Sequence, residues 1–220
     1  MKTKTNFFLG DFEIQVVLSL MGSFPGREIY NKFAGVPLIA ADGAGISLLD
    51  NGVEPDLIIG DIDSFGRSRY YKYFPKDKII TVTDQETNDF EKCLLYCEKE
   101  NLTNILITGF GGGQLEHTLN NWSILAKYCE CFNFRLLEKD RIAKVFGEGT
   151  YEIVSSEKDS IISIIPQMQA VLTTENFVYP LNNERLEIGY REGGRNQIIG
   201  TNATLTVHSG KVLVFIPFKI

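Results

Sequence analysis

Five short, unbroken apolar runs between Ile14 and Gly109 constrain this chain more than any other feature. They are Ile14–Leu20 (IQVVLSL), Pro37–Ala41 (PLIAA), Asp56–Gly60 (DLIIG), Lys78–Val82 (KIITV) and Asn104–Gly109 (NILITG). A strand with one wet face alternates apolar and polar residues. Continuous runs instead need cover on both faces, as in a parallel sheet. Helical patterns lie between and after the runs. Phe90, Cys93, Leu94 and Cys97 fall on one helix face, and Leu115, Leu119, Trp122, Ala126 and Cys129 on another. Strand and helix in alternation predict an α/β fold with an open, mostly parallel sheet flanked by helices.

After Gly147 helical periodicity stops and β-rich runs follow: YEIV at Tyr151, SIISII at Ser160 and AVLTT at Ala170. Thr204–Val207 alternates, Ser209-Gly210 reads as a turn, and Lys211–Ile216 returns. This predicts a hairpin with Gly210 at positive φ. The expected division is an α/β domain over 1–147 and an all-β domain, a small sandwich or barrel, over 148–220. A chain of 220 residues can bury a sufficient core without disulfides or a structural metal.

Charge narrows the partners. With 22 Lys and Arg against 28 Asp and Glu, the net charge is −6, and the basic residues from Arg67 to Lys78 are interrupted by tyrosines and a proline. A protein that neutralises duplex phosphates carries a basic excess or stripe, so nucleic acid is not expected. The basic N-terminus begins like a signal peptide, but Asp11 and Glu13 arrive before a hydrophobic segment of the required length. No apolar run is long enough for a membrane helix. Four cysteines do not make a secreted disulfide framework. A zinc site would need them to meet His117 or His208, and buried apolar thiols are the simpler reading. The expected location is the cytoplasm.

In an open parallel sheet ligands bind beyond the carboxyl ends of the strands. Here the second run leads into Asp42-Gly43 and the third into Asp61-Ile62-Asp63-Ser64. The fourth leads to Asp84-Gln85-Glu86-Thr87-Asn88-Asp89, and the fifth to Gly109–Gly113, Gln114, Glu116 and His117. Asp61 and Asp63 would point apart on a strand, so a turn must bring them together. Converging carboxylates repel unless a cation joins them, and hard oxygen donors suit Mg²⁺ or Mn²⁺. The alternative is a solvated acidic turn that caps the next helix. The further acids at neighbouring strand ends favour the metal.

Gly111-Gly112-Gly113 opens a helix, where backbone can approach a ligand and free N–H groups attract anions. A flexible turn would use the same glycines. No Lys-Ser/Thr follows, and the dinucleotide-binding spacing is absent. In that helix Gln114, His117 and Asn121 share one face, either a ligand wall or a solvent face.

In this order the pieces resemble thiamine pyrophosphokinase. The family pattern runs Ala-Asp-Gly-Gly-Ala, Pro-Asp-x-x-x-Gly-Asp-x-Asp-Ser, a Thr-Asp-Phe-x-Lys helix start, and a glycine loop ending in Arg-x-Asp-His. This chain has Ala41-Asp42-Gly43, Pro55-Asp56 through Gly60-Asp61-Ile62-Asp63-Ser64, Asn88-Asp89-Phe90-Glu91-Lys92, and Gly109–Gly113 ending in Gln114-Leu115-Glu116-His117. The resemblance implies that 1–147 is an α/β nucleotide- and metal-binding catalytic domain and 148–220 a thiamine-binding β-sandwich, in a homodimer with its active site near the subunit interface. It also implies Mg²⁺-dependent transfer of pyrophosphate from ATP to the thiamine hydroxyl, with release of AMP.

By the same resemblance Asp42, Asp61, Asp63 and Asp89 hold the metal and phosphates, with Asp61, Asp63 and Asp89 assigned to the metal and Asp42 as a nearby orienter or further ligand. Asp42, Gly43, Ser64, Gln85, Gly111, Gly112 and Gln114 meet the nucleotide. Tyr179, Gly193, Arg195 and Asn196 stand where the family contacts thiamine. His117 and Asp89 are both candidates for a general base, and the sequence does not choose. Gln114 and Glu116 replace an Arg and an Asp of the family, removing one phosphate-neutralising charge that Arg195 could supply instead. The apolar stretch Val212–Phe218 is a candidate part of the dimer surface. Other readings are a different Mg²⁺-dependent nucleotidyl or glycosyl transferase, whose Asp-x-Asp pairs also hold metal–diphosphate, and a non-catalytic nucleotide- or thiamine-binding module.

Overall fold

A computed structural model of the chain describes residues 3–6 and 13–218, so the acidic interruption at Asp11 lies outside the described residues. A short strand, β1 (Thr3–Asn6), comes first. Thereafter the chain divides into two compact units, with the boundary between Lys139 and Asp140.

The first unit, Ile14–Lys139, alternates strand and helix. Its elements are β2 (Val16–Ser19), α1 (Arg27–Lys32), β3 (Leu38–Ala41), α2 (Ala44–Asp50), β4 (Leu57–Gly60), β5 (Ile79–Thr81), α3 (Asp89–Lys99), β6 (Asn104–Thr108), α4 (Leu115–Tyr128) and β7 (Asn133–Glu138). The five apolar runs form β2 to β6. With β7 they make a parallel sheet in the order β7-β6-β2-β3-β4-β5. Every residue of β2 and β3 is buried, the two-sided cover that unbroken apolar runs require. From β2 the chain winds outward to β5, then α3 returns it to β6 on the other side of β2. The direction of winding therefore reverses between β2 and β6, and the carboxyl ends of these strands flank a crevice.

In α3, Phe90, Cys93, Leu94 and Cys97 are buried as the spacing predicts. Burial pushes both thiols up, that of Cys97 to about 12, so these cysteines are core side chains. The expectation for α4 needs correction. Leu115 and Leu119 are 68% and 62% exposed, and the helix buries Ile124 and Leu125 instead. Following β6, α4 starts at the edge where the parallel strands end, so its first turns have no sheet to lie on. Among the described residues no helix is long and apolar enough to cross a membrane.

The second unit joins β1 to the chain from Asp140 onward. Its strands are β8 (Arg141–Phe146), β9 (Gly149–Val154), β10 (Ile161–Glu175), β11 (Glu184–Glu187), β12 (Gly193–Gln197) and β13 (Asn202–Pro217). Since β8 pairs with β13, this unit begins before the change of pattern at Gly147. All pairings are antiparallel except β1 with β9.

The predicted hairpin at Ser209-Gly210 is absent. β13 runs straight through it, pairing with β9 over Asn202–Val207 and with β8 over Val212–Pro217 while β10 lies alongside. Gly210 does take positive φ (78°), but at a register shift against β10. A β-carbon there would lie 2.3 Å from the Gln169 carbonyl oxygen. A bulge thus bends one long strand to serve two partners, where the sequence pattern implied a reversal. Val212, Leu213, Val214, Ile216 and Phe218 are buried as part of this unit's own core, which removes them from any dimer surface.

Candidate active site

A cavity of about 450 Å³ opens at the carboxyl edge of the parallel sheet. Segments after β2, β3, β4, β5 and β6 all contribute to its wall. This follows from the topology, since every strand of a parallel sheet ends on the same side.

After β3, Asp42 takes a left-handed φ of 34° and is only 2% exposed. Asp is among the residues that tolerate this region. Its backbone N–H donates to Ile59 O at 2.9 Å, and its carboxylate accepts from Ser64 N–H (3.0 Å) and Phe65 N–H (2.9 Å). Asp42 therefore fastens the turn after β4 onto the end of β3. Burial pushes its carboxyl above the usual range, the Phe65 and Ser64 N–H groups oppose this, and the nearby Asp89 charge adds to it.

After β4 the chain turns tightly through Ile62, which has φ 65°. Asp61 Oδ1 accepts Asp63 N–H at 3.1 Å, and Asp61 N–H donates to Asp89 Oδ1 at 3.3 Å. Asp63 is exposed on the cavity wall and accepts the Ser64 hydroxyl at 3.1 Å. Asp89 is the first residue of α3, whose N-cap Asn88 accepts Glu91 N–H at 2.9 Å. A carboxylate in a first helical turn is favourably placed against the helix dipole.

These local structures bring Asp42, Asp61 and Asp89 together, with one carboxylate oxygen from each within 4.8 Å of the others. Gly60 makes the approach possible. A β-carbon there would lie 2.8 Å from both Asp42 Cβ and Asp89 Oδ1. Asp63, expected beside Asp61 and Asp89, lies outside this trio while lining the same cavity. Behind the acids stands Lys92, 3% exposed, its ammonium 3.2 Å from Asp89 Oδ1 and 3.9 Å from Asp61 Oδ2. Lys92 is not among the site residues that the sequence points to. Its signals there are its place as the lysine of the Thr-Asp-Phe-x-Lys helix start and the three-residue step from Asp89, which puts both on one side of a helix.

Gly43, Ser64, Gln85, Gln114 and His117 all line the cavity, together with Met21, Thr118 and Asn121. Gln85 sits in a loop shaped by Asp84, which accepts Thr87 Oγ1–H at 2.6 Å and Glu86 N–H at 3.2 Å. Gly111 and Gly112, expected to face a nucleotide, are not on the cavity wall. They let two backbones pack together: Gly22 N–H donates to Gly109 O (2.8 Å) and Ser23 N–H to Gly111 O (2.7 Å). Gly113 and Gln114 carry the loop back to the wall.

The thiamine-position residues lie in the second unit. Tyr179 is exposed, and Asn196 clasps its backbone, accepting Tyr179 N–H (3.2 Å) and donating to Tyr179 O (2.8 Å). Arg195, at φ 57°, donates its backbone N–H to Ser163 Oγ at 3.0 Å. Gly193 packs on β10, where a β-carbon would lie 2.7 Å from Ile164 O.

Comparison with known proteins bears on this geometry. Residues 36–136 match the family described as thiamin pyrophosphokinase, catalytic domain. The chain is 30% identical over 182 residues to thiamine pyrophosphokinase of Bacillus subtilis (strain 168), covering 80% of this chain and 85% of that one. The crystal structure of thiamine pyrophosphokinase from Bacillus subtilis superposes with a TM-score of 0.76 at 25% identity, covering 93% of this chain and all (100%) of that chain. Yeast thiamin pyrophosphokinase shares the fold, with a TM-score of 0.77 at 16% identity over 100% of this chain and 92% of that one.

Proposed function

This chain belongs to the thiamine pyrophosphokinase family, and on that premise we propose that the cavity beyond its parallel sheet carries the family's reaction. The reaction is transfer of a diphosphoryl group from ATP to the hydroxyl of thiamine, giving thiamine diphosphate and AMP. The alcohol oxygen bonds to the β-phosphorus, the bond from that phosphorus to the oxygen bridging to the α-phosphorus breaks, and AMP leaves with that oxygen. The hydroxyl proton goes to a base, for which His117 and Asp89 are the candidates on the wall.

The observation that carries the reading is the convergence of Asp42, Asp61 and Asp89 beside the buried Lys92. An all-oxygen donor set of this kind fits Mg²⁺, and like charges so close favour a cation. Asp61, Asp63 and Asp89 would hold the metal, with Asp42 orienting the turn that presents two of them. When bound, Mg²⁺ supplies charge neutralisation for the transferring phosphates.

The protein's own residues do the positioning. Lys92 offsets the negative charge of the acids, so that polyphosphate meets a less repulsive wall. The amides of Gln85, Gln114 and Asn121 offer donors and acceptors for the nucleotide without net charge. Tyr179 offers an aromatic face for a pyrimidine, and Arg195 a charge for phosphate. An unchanged ATP affinity in Arg195→Ala would sink that last role.

We also propose a cytoplasmic homodimer with the site near its interface. Met21, exposed on the cavity wall, and Leu115 and Leu119, exposed on the first turns of α4, support the dimer, since exposed apolar side chains favour cover. Incubation with ATP, Mg²⁺ and thiamine tests the activity. AMP and thiamine diphosphate in equal amounts are expected. ADP, or no nucleotide turnover, would reject it.

A further inference from the structure

The glycine loop between β6 and α4 is held by an anion from the protein itself. Glu138, the last residue of β7, reaches this loop at the carboxyl edge of the sheet. Its Oε2 accepts Gly111 N–H at 3.1 Å. A β-carbon on Gly111 would lie 3.2 Å from that oxygen and 3.8 Å from Thr118 Cγ2, so a side chain there would press on the carboxylate. The same loop is fixed elsewhere: Gly109 O and Gly111 O accept from Gly22 and Ser23, and Phe110 O accepts from Asn121 Nδ2 at 3.1 Å. Glu138 does not line the cavity, whereas Phe110, Gly113, Gln114, His117 and Asn121 do.

We propose that Glu138 is a positioning residue: by occupying the Gly111 amide it holds the glycine loop and the first turns of α4 so that Gln114, His117 and Asn121 face the nucleotide. A glycine-rich loop opening a helix commonly turns its N–H groups to a phosphate. Here the Gly111 N–H is already committed to a carboxylate, which is charge-assisted and so a strong acceptor. The loop's contribution to ATP binding is then indirect, through the side chains it carries. This role rests on the proposed function only for the identity of the ligand; the clamp itself does not depend on it.

The test compares Glu138→Leu, which keeps bulk and loses the acceptor, with Glu138→Gln, which keeps an amide oxygen. Hydrogen exchange at the Gly111 amide reads the clamp without substrate. It should be slow in the wild type and Glu138→Gln, and faster by about tenfold or more in Glu138→Leu. In turnover, Glu138→Leu should raise KM for ATP by roughly tenfold and lower kcat by less than about threefold, with Glu138→Gln near wild type. Gly111→Ala, which presses a methyl on Oε2, should shift KM the same way and serves if Glu138→Leu does not fold. Unchanged Gly111 exchange in Glu138→Leu, or equal losses in the Leu and Gln variants, would overturn the proposal. A wild type that makes no AMP would reject the reaction and leave the exchange experiment to judge the clamp.

Discussion

The Lys92 ammonium lies 3.2 Å from Asp89 Oδ1, one turn further along α3, and both face the end of β4. A lysine only 3% exposed is held there by the carboxylates, and it lowers their mutual repulsion in return. Lys92→Met should destabilise the metal-free protein by about 3 kcal/mol, the low end for breaking a buried pair, because Asp61 and Asp89 are partly exposed. Mg²⁺ should then raise the melting temperature more in the variant than in the wild type, since the metal replaces a missing counter-charge. Calorimetry in EDTA and in Mg²⁺ reads both effects. An equal metal-induced shift in the two proteins would remove Lys92 from this role.

Gly60 sets the spacing of the acids. In Gly60→Ala the new methyl meets Asp42 Cβ and Asp89 Oδ1, each at 2.8 Å, so the carboxylates must separate. Overpacking of this kind costs about 1–3 kcal/mol. The sharper consequence is for function: the Mg²⁺ concentration giving half-maximal turnover should rise at least about tenfold, a change of about 1.4 kcal/mol in affinity. A Mg²⁺ titration of activity at saturating ATP is the measurement, and an unshifted midpoint counts against the carboxylates as metal ligands.

Asp63 differs from its neighbours in having little structural work. Exposed, with the Ser64 hydroxyl on its carboxylate, it can change without disturbing the core. Asp63→Asn should therefore abolish turnover while leaving the melting temperature within about 1 °C, as expected of a surface substitution. Retained turnover at saturating Mg²⁺ would take Asp63 out of the metal site and leave Asp42, Asp61 and Asp89 as its acidic members.

Much of this architecture is legible because local pattern and global fold agree in the parallel sheet. Unbroken apolar runs mark β2 to β6, and their polar endings mark the cavity edge. The misreadings arise where one pattern fits two structures. Thr204–Val207, Ser209-Gly210 and Lys211–Ile216 describe a hairpin and a bulged strand equally well, and only the partners β8, β9 and β10 decide between them. Leu115 and Leu119 keep helical spacing, yet periodicity cannot tell where along α4 the sheet ends. Glu138 is illegible for a third reason, since the other half of its contact is a backbone amide; Lys92 is visible as a motif residue, but its reach to the turn after β4 is not.

Gly210 offers a stability test of the bulge. Its φ of 78° and the 2.3 Å approach to the Gln169 oxygen leave no room for a side chain. Gly210→Ala should lose about 2 kcal/mol or more, combining backbone strain with overpacking. A turn at the tip of a free hairpin would lose less, because no third strand would be pressed. Urea unfolding monitored by circular dichroism gives the difference, and a loss below about 0.5 kcal/mol would contradict the bulge.

Glu138 also makes a prediction about pH. Burial pushes its carboxyl above the ordinary glutamate value of 4.5, while the Gly111 N–H and the Lys139 charge oppose the shift. A carboxyl whose value is raised in the folded state favours folding most when protonated. Its contribution is therefore complete below about pH 4.5, and it is lost as pH rises through the folded-state value. The side-chain amide introduced by Glu138→Gln cannot ionise and keeps an oxygen for Gly111. The variant should match or exceed the wild type in stability at pH 7, and its advantage should shrink as pH falls through the raised folded-state value toward 4.5. Unfolding free energies of both proteins across this range give the sign directly. An advantage that grows on acidification would mean that the ionised carboxylate is the form the fold prefers. The Gly111 contact would then outweigh desolvation in holding the glycine loop.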